Sequence, residues 1–459
     1  MTTTDDQTES FIGGLDEPKP AVTYQDLLDA DTRPVPETFR WLSPGDFGSG
    51  DVPVARYLDR RYHELEKERL WGRVWQWACR EEEIPEVGDT AVYDICDSSI
   101  VIVRTAPGPD GIRAYHNACL HRGRALRDCG GRVKELRCAF HGFCWSLEGE
   151  LTHVPAAWDF PQVQADDMHL PEVQVGTWGG FVFINLDPTC EPLESYLGSL
   201  PQLFDRWPLE ERYTQVHVAK VVRANWKVLQ EAFMESYHVV TTHPQLLPGF
   251  GDANSQYDIF GNVARAVSAS GTPSPHLSWE PTPQEVFDSI VDRREDELPL
   301  ADVPQGMTAR AFAASLARES LRPLVGDEVE ALSDAEMIDS LYFTVFPNFH
   351  PWGAYNRLCY RFRPHGDDHT EAIMEVLFLS PFTGERPSPS PVRWLGPDEE
   401  WTTVPELGGL ARVFDQDDYN LEQVQKGLRT TVRKGVRLGV YQESKIRHFH
   451  HLYGQLVED

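Results

Sequence analysis

The chain contains 459 residues, 41% of them hydrophobic and 11% aromatic, and its formal net charge is −30. A chain of this length exceeds one ordinary hydrophobic core, so we expect two domains. The acidic balance argues against nucleic acid or an anionic membrane surface as a partner, because phosphate binding requires basic patches. No apolar run approaches the roughly 18 residues of a membrane-spanning helix, and the first residues show no signal-peptide pattern. We therefore predict a soluble, cytoplasmic protein.

The residue pattern divides the chain into four segments. Residues 1–50 are polar and acidic and predict a mobile arm. Residues 51–78 repeat apolar positions at helical spacing, which predicts an amphipathic helix that leads into the folded part and packs on the last domain. Residues 79–187 contain short β-rich runs between Gly, Pro and Asp turns and predict a small all-β domain. Residues 188–459 mix helical and strand patterns and predict a second domain.

Within this last segment, the pattern predicts a helix near residues 226–237 and a loop-rich region near 244–340. Strands are expected near residues 341–347, 354–363 and 371–380, and helix returns over the last fifty residues. That ending carries three closely spaced histidines that point to different faces of a short helix. We interpret them as surface residues: His448, His450 and His451.

One stretch, CLHRGRALRDCGGRVKELRCAFH, pairs a C-x-H with a C-x-x-H motif through Cys119, His121, Cys138 and His141. Zinc is one interpretation, but common zinc fingers pair cysteine with cysteine and histidine with histidine. In a Rieske [2Fe-2S] cluster, one iron takes two cysteines and the other takes two histidines, so each loop has to supply one of each. The spacing therefore favours a Rieske cluster over zinc.

His238 and His243 are candidates for a second metal site. Residues five apart on a continuous helix lie about 140° apart, so both can face one metal only if the helix stops between them. Pro244 disfavours helix at His243 and permits such a break. Non-haem iron that activates O2 is held by two histidines and one carboxylate, with coordination positions left open. A purely structural role for this histidine pair is the alternative.

The sequence around both motifs resembles that of the Rieske non-haem iron aromatic ring-hydroxylating oxygenases, specifically their alpha (catalytic) subunits. The resemblance is carried by "HRG", "FHGFCWSLEGEL" and "NWKVLQEAFMESYH", and it extends from about residue 40 to the end. Electron-carrier Rieske proteins of respiratory complexes usually have an additional cysteine after each ligand pair. In this chain, Arg124 stands after the first pair, and Cys144 has no partner at the matching place.

The resemblance implies roles for several residues. The acidic residue three positions before the first histidine is Glu235; in the family, it connects an iron-ligand histidine of one subunit to a Rieske histidine of the next. Most ring-hydroxylating dioxygenases have aspartate there, whereas relatives resembling choline and carnitine oxygenases have glutamate. "VFDQDDYNLEQ" resembles the segment that supplies the third iron ligand, which implies Asp417, with Asp418 as the alternative. Helix capping is another role for these acids. The family's pocket positions fall on Phe233, Met234, Val239, Phe346 and Asn348.

The resemblance also implies an α+β fold. An N-terminal antiparallel β Rieske [2Fe-2S] domain is expected before a catalytic domain that has a curved antiparallel sheet and covering helices, of the helix-grip or START-like type. A mononuclear Fe(II) and a homotrimer are implied as well. The chain has no dinucleotide fingerprint of its own. Electrons are therefore expected to come from NAD(P)H through a separate ferredoxin or flavin reductase, and the presence of a small β-subunit is left open.

The implied activity is that of a terminal oxygenase, either a monooxygenase or a dioxygenase. The expected substrate is an apolar aromatic, terpenoid or steroid-like molecule, as in aromatic hydrocarbon catabolism. Oxidative demethylation or hydroxylation of a quaternary amine such as a betaine is the alternative within this class. A Rieske protein that only transfers electrons and a zinc-stabilised binding module are the alternatives from other classes.

Overall fold

The computed structural model describes residues 20–290 and 301–458. The chain begins with short elements that lie on the catalytic domain: α1 (Tyr24–Leu28), α2 (Glu37–Arg40), β1 (Val52–Pro53), α3 (Ala55–Leu58), α4 (Arg60–Leu65) and a π-helical turn (Glu66–Trp71). Tyr24 is buried and its hydroxyl donates to Asp339 over 2.7 Å. The Ser43 amide donates to Asp258 over 2.8 Å. The predicted mobile arm is therefore wrong for residues 20–50, and residues 1–19 lie outside the described residues.

The predicted helix over residues 51–78 is interrupted. Asp59 leaves the helical conformation (φ −85°, ψ 119°), and its side chain accepts the Arg61 amide at the start of α4. The π-helical turn that follows buries Glu66, whose carboxylate accepts Trp226 Nε1 over 2.8 Å and pairs with Lys227. This segment consequently packs on the catalytic domain before the chain enters the β domain.

Ten short strands form the Rieske domain: β2 (Gln76–Arg80), β3 (Asp89–Ile95), β4 (Ser98–Arg104), β5 (Ile112–His116), β6 (Gly131–Arg132), β7 (Leu136–Arg137), β8 (Cys144–Trp145), β9 (Leu151–His153), β10 (Glu172–Trp178) and β11 (Phe181–Asn185). Seven of them make an antiparallel sheet in the order β2-β11-β10-β5-β4-β3-β6, and β7-β8-β9 make a second sheet. Branched and aromatic residues such as Val101, Tyr115 and Trp145 fill the core between them. The all-β prediction for this segment agrees with the structure.

The catalytic domain contains α5 (Leu193–Leu197), α6 (Leu200–Phe204), β12 (Arg212–Val222), α7 (Trp226–Glu231), α8 (Val239–Thr242), β13 (Phe250–Phe260), β14 (Val263–Ser270), α9 (Pro283–Ile290), α10 (Ala309–Val325), α11 (Asp334–Ile338), β15 (Ser340–Val345), β16 (Phe349–Pro351), β17 (Leu358–His365), β18 (Asp368–Pro381), β19 (Arg393–Leu395), α12 (Leu410–Thr430), β20 (Gly435–Val436) and α13 (Ser444–Val457). An eight-stranded sheet runs in the order β13-β14-β15-β16-β17-β18-β12-β19. Its neighbours are antiparallel except for β12 and β19, which are parallel. The predicted fold class is confirmed.

The region predicted as loop-rich, residues 244–340, contains the hairpin β13–β14 and the long helix α10. Strand β13 shows no alternation because polar residues are buried along it: Asp258 pairs with Arg265 over 2.6 Å and accepts Gln256 Nε2 over 2.8 Å. Helix α7 ends at Glu231, earlier than predicted. None of the helices in the described part of the chain combines the length and the hydropathy that crossing a membrane requires.

Candidate active site

A single helical turn brings the two candidate histidines to one place. His238 precedes α8 and His243 follows it, where the backbone leaves the helical conformation (φ −126°, ψ 54°). The predicted break between the two histidines is therefore present. Asp417 projects from α12, with its Oδ1 2.9 Å from His243 Nε2 and 3.6 Å from His238 Nε2. One possible ligand atom from each of the three residues lies within 4.8 Å of the others.

Hydrogen bonds fix the orientation of both imidazoles. His238 Nδ1 lies 2.6 Å from Glu235 Oε1, and His243 Nδ1 lies 3.0 Å from Gln416 Oε1. Each oxygen is an acceptor, so each Nδ1 carries the hydrogen and each Nε2 lone pair is directed at the cluster. Metal-binding histidines are typically held in this way. Two imidazoles and one carboxylate with fixed tautomers are a donor set that suits non-haem iron.

Asp417 and Asp418 lie in different environments. Asp418 Oδ2 is 2.7 Å from Lys220 Nζ and accepts Trp401 Nε1 over 2.8 Å, away from the histidines. Burial is the largest influence on the pKa of Asp418 and raises it to about 6, although Lys220 opposes the shift. The structure thus brings Asp417, not the alternative Asp418, to His238 and His243.

The electrostatics of the cluster favour a cation. Burial would lower the pKa of His238, but the charges of Glu235 and Asp417 outweigh it and raise this pKa to about 9. Two carboxylates thus face the imidazole pair, and a positive charge placed between them would be stabilised. A metal cation supplies such a charge without a bound proton.

The two Rieske loops repeat one backbone pattern. Cys119 O accepts the Gly123 amide over 2.8 Å, and Cys138 O accepts the Gly142 amide over 3.0 Å. Both glycines have positive φ, 77° and 80°, which a side chain would disfavour. Backbone amides two and three residues after each cysteine donate to its sulfur, as thiolates bound to iron require. The loops therefore suit a [2Fe-2S] cluster shared between them.

The structure also brings the two loop histidines together. The ring centroids of His121 and His141 are 4.7 Å apart, and His121 stacks on Phe143 at 4.7 Å. The Cys119 and Cys138 thiols lie within hydrogen-bonding reach of each other. His141 is exposed, so the histidine side of the loops faces solvent and the cysteine side faces the core.

A cavity of about 590 Å³ opens beside the His238, His243 and Asp417 cluster. Of the predicted pocket residues, Phe233 and Val239 line it. Met234 and Phe346 are instead buried in the core, and Asn348 is buried with its amide donating to Phe362 O over 2.8 Å. These three predictions are wrong for the cavity in this structure, because the side chains point into the protein.

Sequence reasoning missed several residues that surround the cavity. Tyr342, Trp352, Tyr360 and Phe414 line it, as does Arg412. Gln416, which holds His243, was missed as well, although it directly precedes Asp417 in the sequence. Gln416 and Arg412 could have been found from their closeness to Asp417 in the sequence. The aromatic residues of the cavity have no local motif that could have identified them.

The C-terminal histidines are not a surface run. His451 is exposed, but His448 and His450 are each 4% exposed. His450 Nε2 lies 2.8 Å from Glu231 Oε1 and 2.9 Å from the Tyr57 hydroxyl. They are structural residues of α13, which packs against the lead-in segment and the sheet.

The fold and the two clusters define a class of protein in which one chain joins an iron–sulfur domain to a non-haem iron domain. The ring-hydroxylating alpha subunit (catalytic domain) model matches residues 204–459, and the Rieske [2Fe-2S] domain model matches residues 74–164. The chain belongs to the ring-hydroxylating alpha-subunit family and carries a Rieske domain. The predicted family and the predicted pair of cofactors are confirmed.

Relatives of this chain fall into two groups. It is 30% identical over 211 residues to the carnitine monooxygenase oxygenase subunit of Escherichia coli, which covers 44% of this chain and 53% of the relative. It is 32% identical over 204 residues to the biphenyl 2,3-dioxygenase subunit alpha of Rhodococcus jostii, or 43% and 44% of the two chains. The matched part spans about half the length of these relatives.

A solved structure shares the fold over nearly the whole chain. The quaternary ammonium Rieske monooxygenase in complex with L-carnitine superposes with a TM-score of 0.61 at 18% identity, over 88% of this chain and 95% of the other. At this identity, the likeness concerns the fold.

Proposed function

We propose that this protein is the terminal oxygenase component of a Rieske-type system. The observation that carries the proposal is the convergence of His238, His243 and Asp417 beside a cavity large enough for a small organic molecule. When bound, the cluster supplies single electrons and the mononuclear iron supplies an open position for O2. The chain lacks a dinucleotide fingerprint, so the electrons come from a separate ferredoxin or flavin reductase that uses NAD(P)H.

Each group of residues has a distinct task in this proposal. Cys119, His121, Cys138 and His141 hold the cluster. Glu235 is buried and keeps the hydrogen of His238 on Nδ1. We assign it the bridge to a neighbouring subunit's cluster in a homotrimer, with or without a small β-subunit.

The walls of the cavity support an apolar substrate. Phe233, Tyr360 and Phe414 have mutual ring centroid distances of 5.3 to 6.1 Å and present a continuous aromatic surface. Such a surface excludes water and orients an aromatic, terpenoid or steroid-like molecule beside the cluster. We therefore propose hydroxylation of an apolar substrate, by mono- or dioxygenation, as the primary activity.

Oxidation of a quaternary amine is the second candidate. Tyr342 and Trp352 stack at 5.3 Å, and Tyr360 lies 6.0 Å from Trp352 at a steep angle, so aromatic rings converge at one wall. Aromatic faces arranged in this way bind quaternary ammonium groups by cation–π attraction. The carnitine monooxygenase relative supports keeping this candidate.

The decisive test is the content of iron and acid-labile sulfide in anaerobically purified protein, together with the EPR spectrum after dithionite. About three irons and two sulfides per chain with a Rieske signal are expected, because a [2Fe-2S] cluster and one mononuclear iron require that ratio. Two irons and two sulfides that persist after adding Fe(II) would contradict the mononuclear site and favour a pure electron carrier. A colourless protein that contains zinc would contradict both sites.

A variant at Glu235 tests the bridge. Glu235→Gln should retain iron but slow reoxidation of the reduced cluster by O2 in the presence of substrate at least about tenfold, since a neutral amide is a weaker acceptor for His238. Glu235→Asp, which keeps the charge, is the matched control and should retain more of the rate. Equal rates in both variants and the wild type would refute the assigned role.

A further inference from the structure

The cavity combines an aromatic lining with one cationic side chain. Among the described residues that line it, Arg412 is the one lysine or arginine. It stands in the first turn of α12, the helix that also carries Asp417. Arg412 is exposed to solvent as well as lining the cavity, so it lies where the cavity opens.

The charge of Arg412 is not neutralised within the part of the chain that the structure describes. No hydrogen bond, ion pair or ring contact engages its side chain there. The two acids that line the cavity contact histidines and not Arg412: Glu235 lies 2.6 Å from His238, and Asp417 lies 2.9 Å from His243. The cavity therefore presents a guanidinium without a charged partner at its opening, together with an aromatic lining.

We infer that the substrate is an organic anion, with an apolar body held among the aromatic side chains and a carboxylate paired with Arg412. A guanidinium offers a planar pair of N–H donors that matches a carboxylate, so it selects this group over an uncharged one of the same shape. The inference rests on the proposed function, because it places this molecule in the catalytic cavity. The inferred carboxylate could belong to an aromatic acid or to a zwitterionic betaine, and the test distinguishes these two kinds of substrate.

Binding is measured by calorimetry on the iron-loaded protein under anaerobic conditions, with pairs that differ only in charge. The first pair is 2-naphthoate and 2-naphthamide, and the second is γ-butyrobetaine and its amide. The carboxylate of at least one pair should bind about two- to fivefold more tightly than its amide at low ionic strength, the size expected for a partly exposed ion pair. The pair that shows the preference identifies the apolar body.

Substitutions connect the preference to Arg412. Arg412→Gln should abolish the preference for the carboxylate and leave binding of the amide unchanged, and Arg412→Lys should restore part of it. Arg429→Gln is the matched control. Arg429 is exposed on the same helix and does not line the cavity, so this substitution removes the same charge at a different place. The inference is overturned if no carboxylate binds more tightly than its amide, or if the preference survives in Arg412→Gln.

The outcomes distinguish a failure of this inference from a failure of the proposed function. Arg412→Gln should keep the wild-type iron content and the Rieske EPR signal, and in turnover it should raise KM for the carboxylate without lowering kcat. If the wild-type protein contains no mononuclear iron, the proposed function is contradicted, whatever the binding measurements show. If the protein has its full iron content and turns over substrate but does not bind a carboxylate more tightly than its amide, only the inference is contradicted.

Discussion

His243 is held from both sides by consecutive residues of α12: Gln416 Oε1 accepts its Nδ1 hydrogen at 3.0 Å, and Asp417 Oδ1 lies 2.9 Å from its Nε2. The amide of Gln245 also donates to Gln416 Oε1, over 2.8 Å. His238 has the charged Glu235 in the equivalent position. In both imidazoles Nδ1 therefore carries the hydrogen, but the acceptors that hold the two rings differ in charge.

Removing the Gln416 acceptor should weaken metal binding. Gln416→Leu leaves His243 Nδ1 without its partner, and loss of such a partner typically costs about 10- to 100-fold in metal affinity. The measurement is Fe(II) titration of protein stripped of mononuclear iron, with the Rieske absorbance as an internal reference. Gln423→Leu, exposed on the same helix, should bind as the wild type does. Equal affinity in both variants would show that Gln416 does not orient the ligand.

The neighbouring aspartates should have separable effects. Asp417→Asn should lose the mononuclear iron, because a neutral amide replaces the carboxylate that lies beside both histidines. Asp418→Asn should keep the iron but lower the free energy of unfolding by about 3 kcal/mol, since breaking a buried ion pair leaves Lys220 unpaired. Iron analysis and urea unfolding measure the two effects. Iron loss in Asp418→Asn with retention in Asp417→Asn would reverse the assignment.

His448 should make the protein sensitive to acid. Its Nε2 donates to Gly261 O over 2.8 Å, and burial is the largest influence on its pKa, lowering it to about 4. An unfolded chain binds the histidine proton below about pH 6.5, so between these values the unfolded state holds more protons and acid favours it. The free energy of unfolding should therefore fall by up to about 1.4 kcal/mol per pH unit as the pH decreases through this window.

Urea unfolding across this pH range, with His448→Gln, checks that expectation. The variant should show a flatter dependence on pH because one buried neutral histidine has been removed. His451→Gln removes an exposed histidine from the same helix and should leave the dependence unchanged. An equal effect of both substitutions would mean that burial of His448 is not the cause.

The two loop glycines should differ in their tolerance of alanine. Both adopt positive φ, so either substitution incurs backbone strain of roughly 1 to 2 kcal/mol. A Cβ at Gly142 would lie 3.3 Å from Pro155 Cγ, whereas a Cβ at Gly123 has open space. Gly142→Ala should consequently lose more of the Rieske absorbance on mild heating than Gly123→Ala. Equal losses would show that strain alone matters.

Ligand chemistry made the clusters predictable from sequence. Cysteine and histidine at fixed spacing have few uses, and the break that Pro244 permits between His238 and His243 follows from local backbone preferences. The third iron ligand was harder to identify, because Asp417 and Asp418 are adjacent and identical residues whose side chains differ only in the direction in which they leave α12. That direction depends on Lys220 and Trp401, which come from distant parts of the chain.

The fold was predictable where burial follows a simple period. Strand β18 is a long buried run and was located correctly. Strand β13 was missed because its buried polar residues have partners far away in the chain: Asp258 accepts the Ser43 amide, and Gln256 Oε1 accepts Gln25 Nε2. The pocket predictions on Met234 and Asn348 failed for a related reason. Both residues lie in the turns between elements, and a matching sequence position does not fix whether a side chain there meets the cavity or the core.

The strand β1 pairs with β20 at the opposite end of the chain, Val52 with Val436, and Arg56 pairs with Glu458. The catalytic domain is thus discontinuous in sequence, and the Rieske domain is an insertion between its two pieces. During synthesis, residues 20–71 leave the ribosome before the strands and helices on which they pack, and the partners of β1 and Arg56 are among the last to emerge. The Rieske segment is therefore complete before the catalytic domain can be. A catalytic fragment that starts at residue 188 should aggregate, because the apolar surface that the early segment covers would be left exposed to solvent.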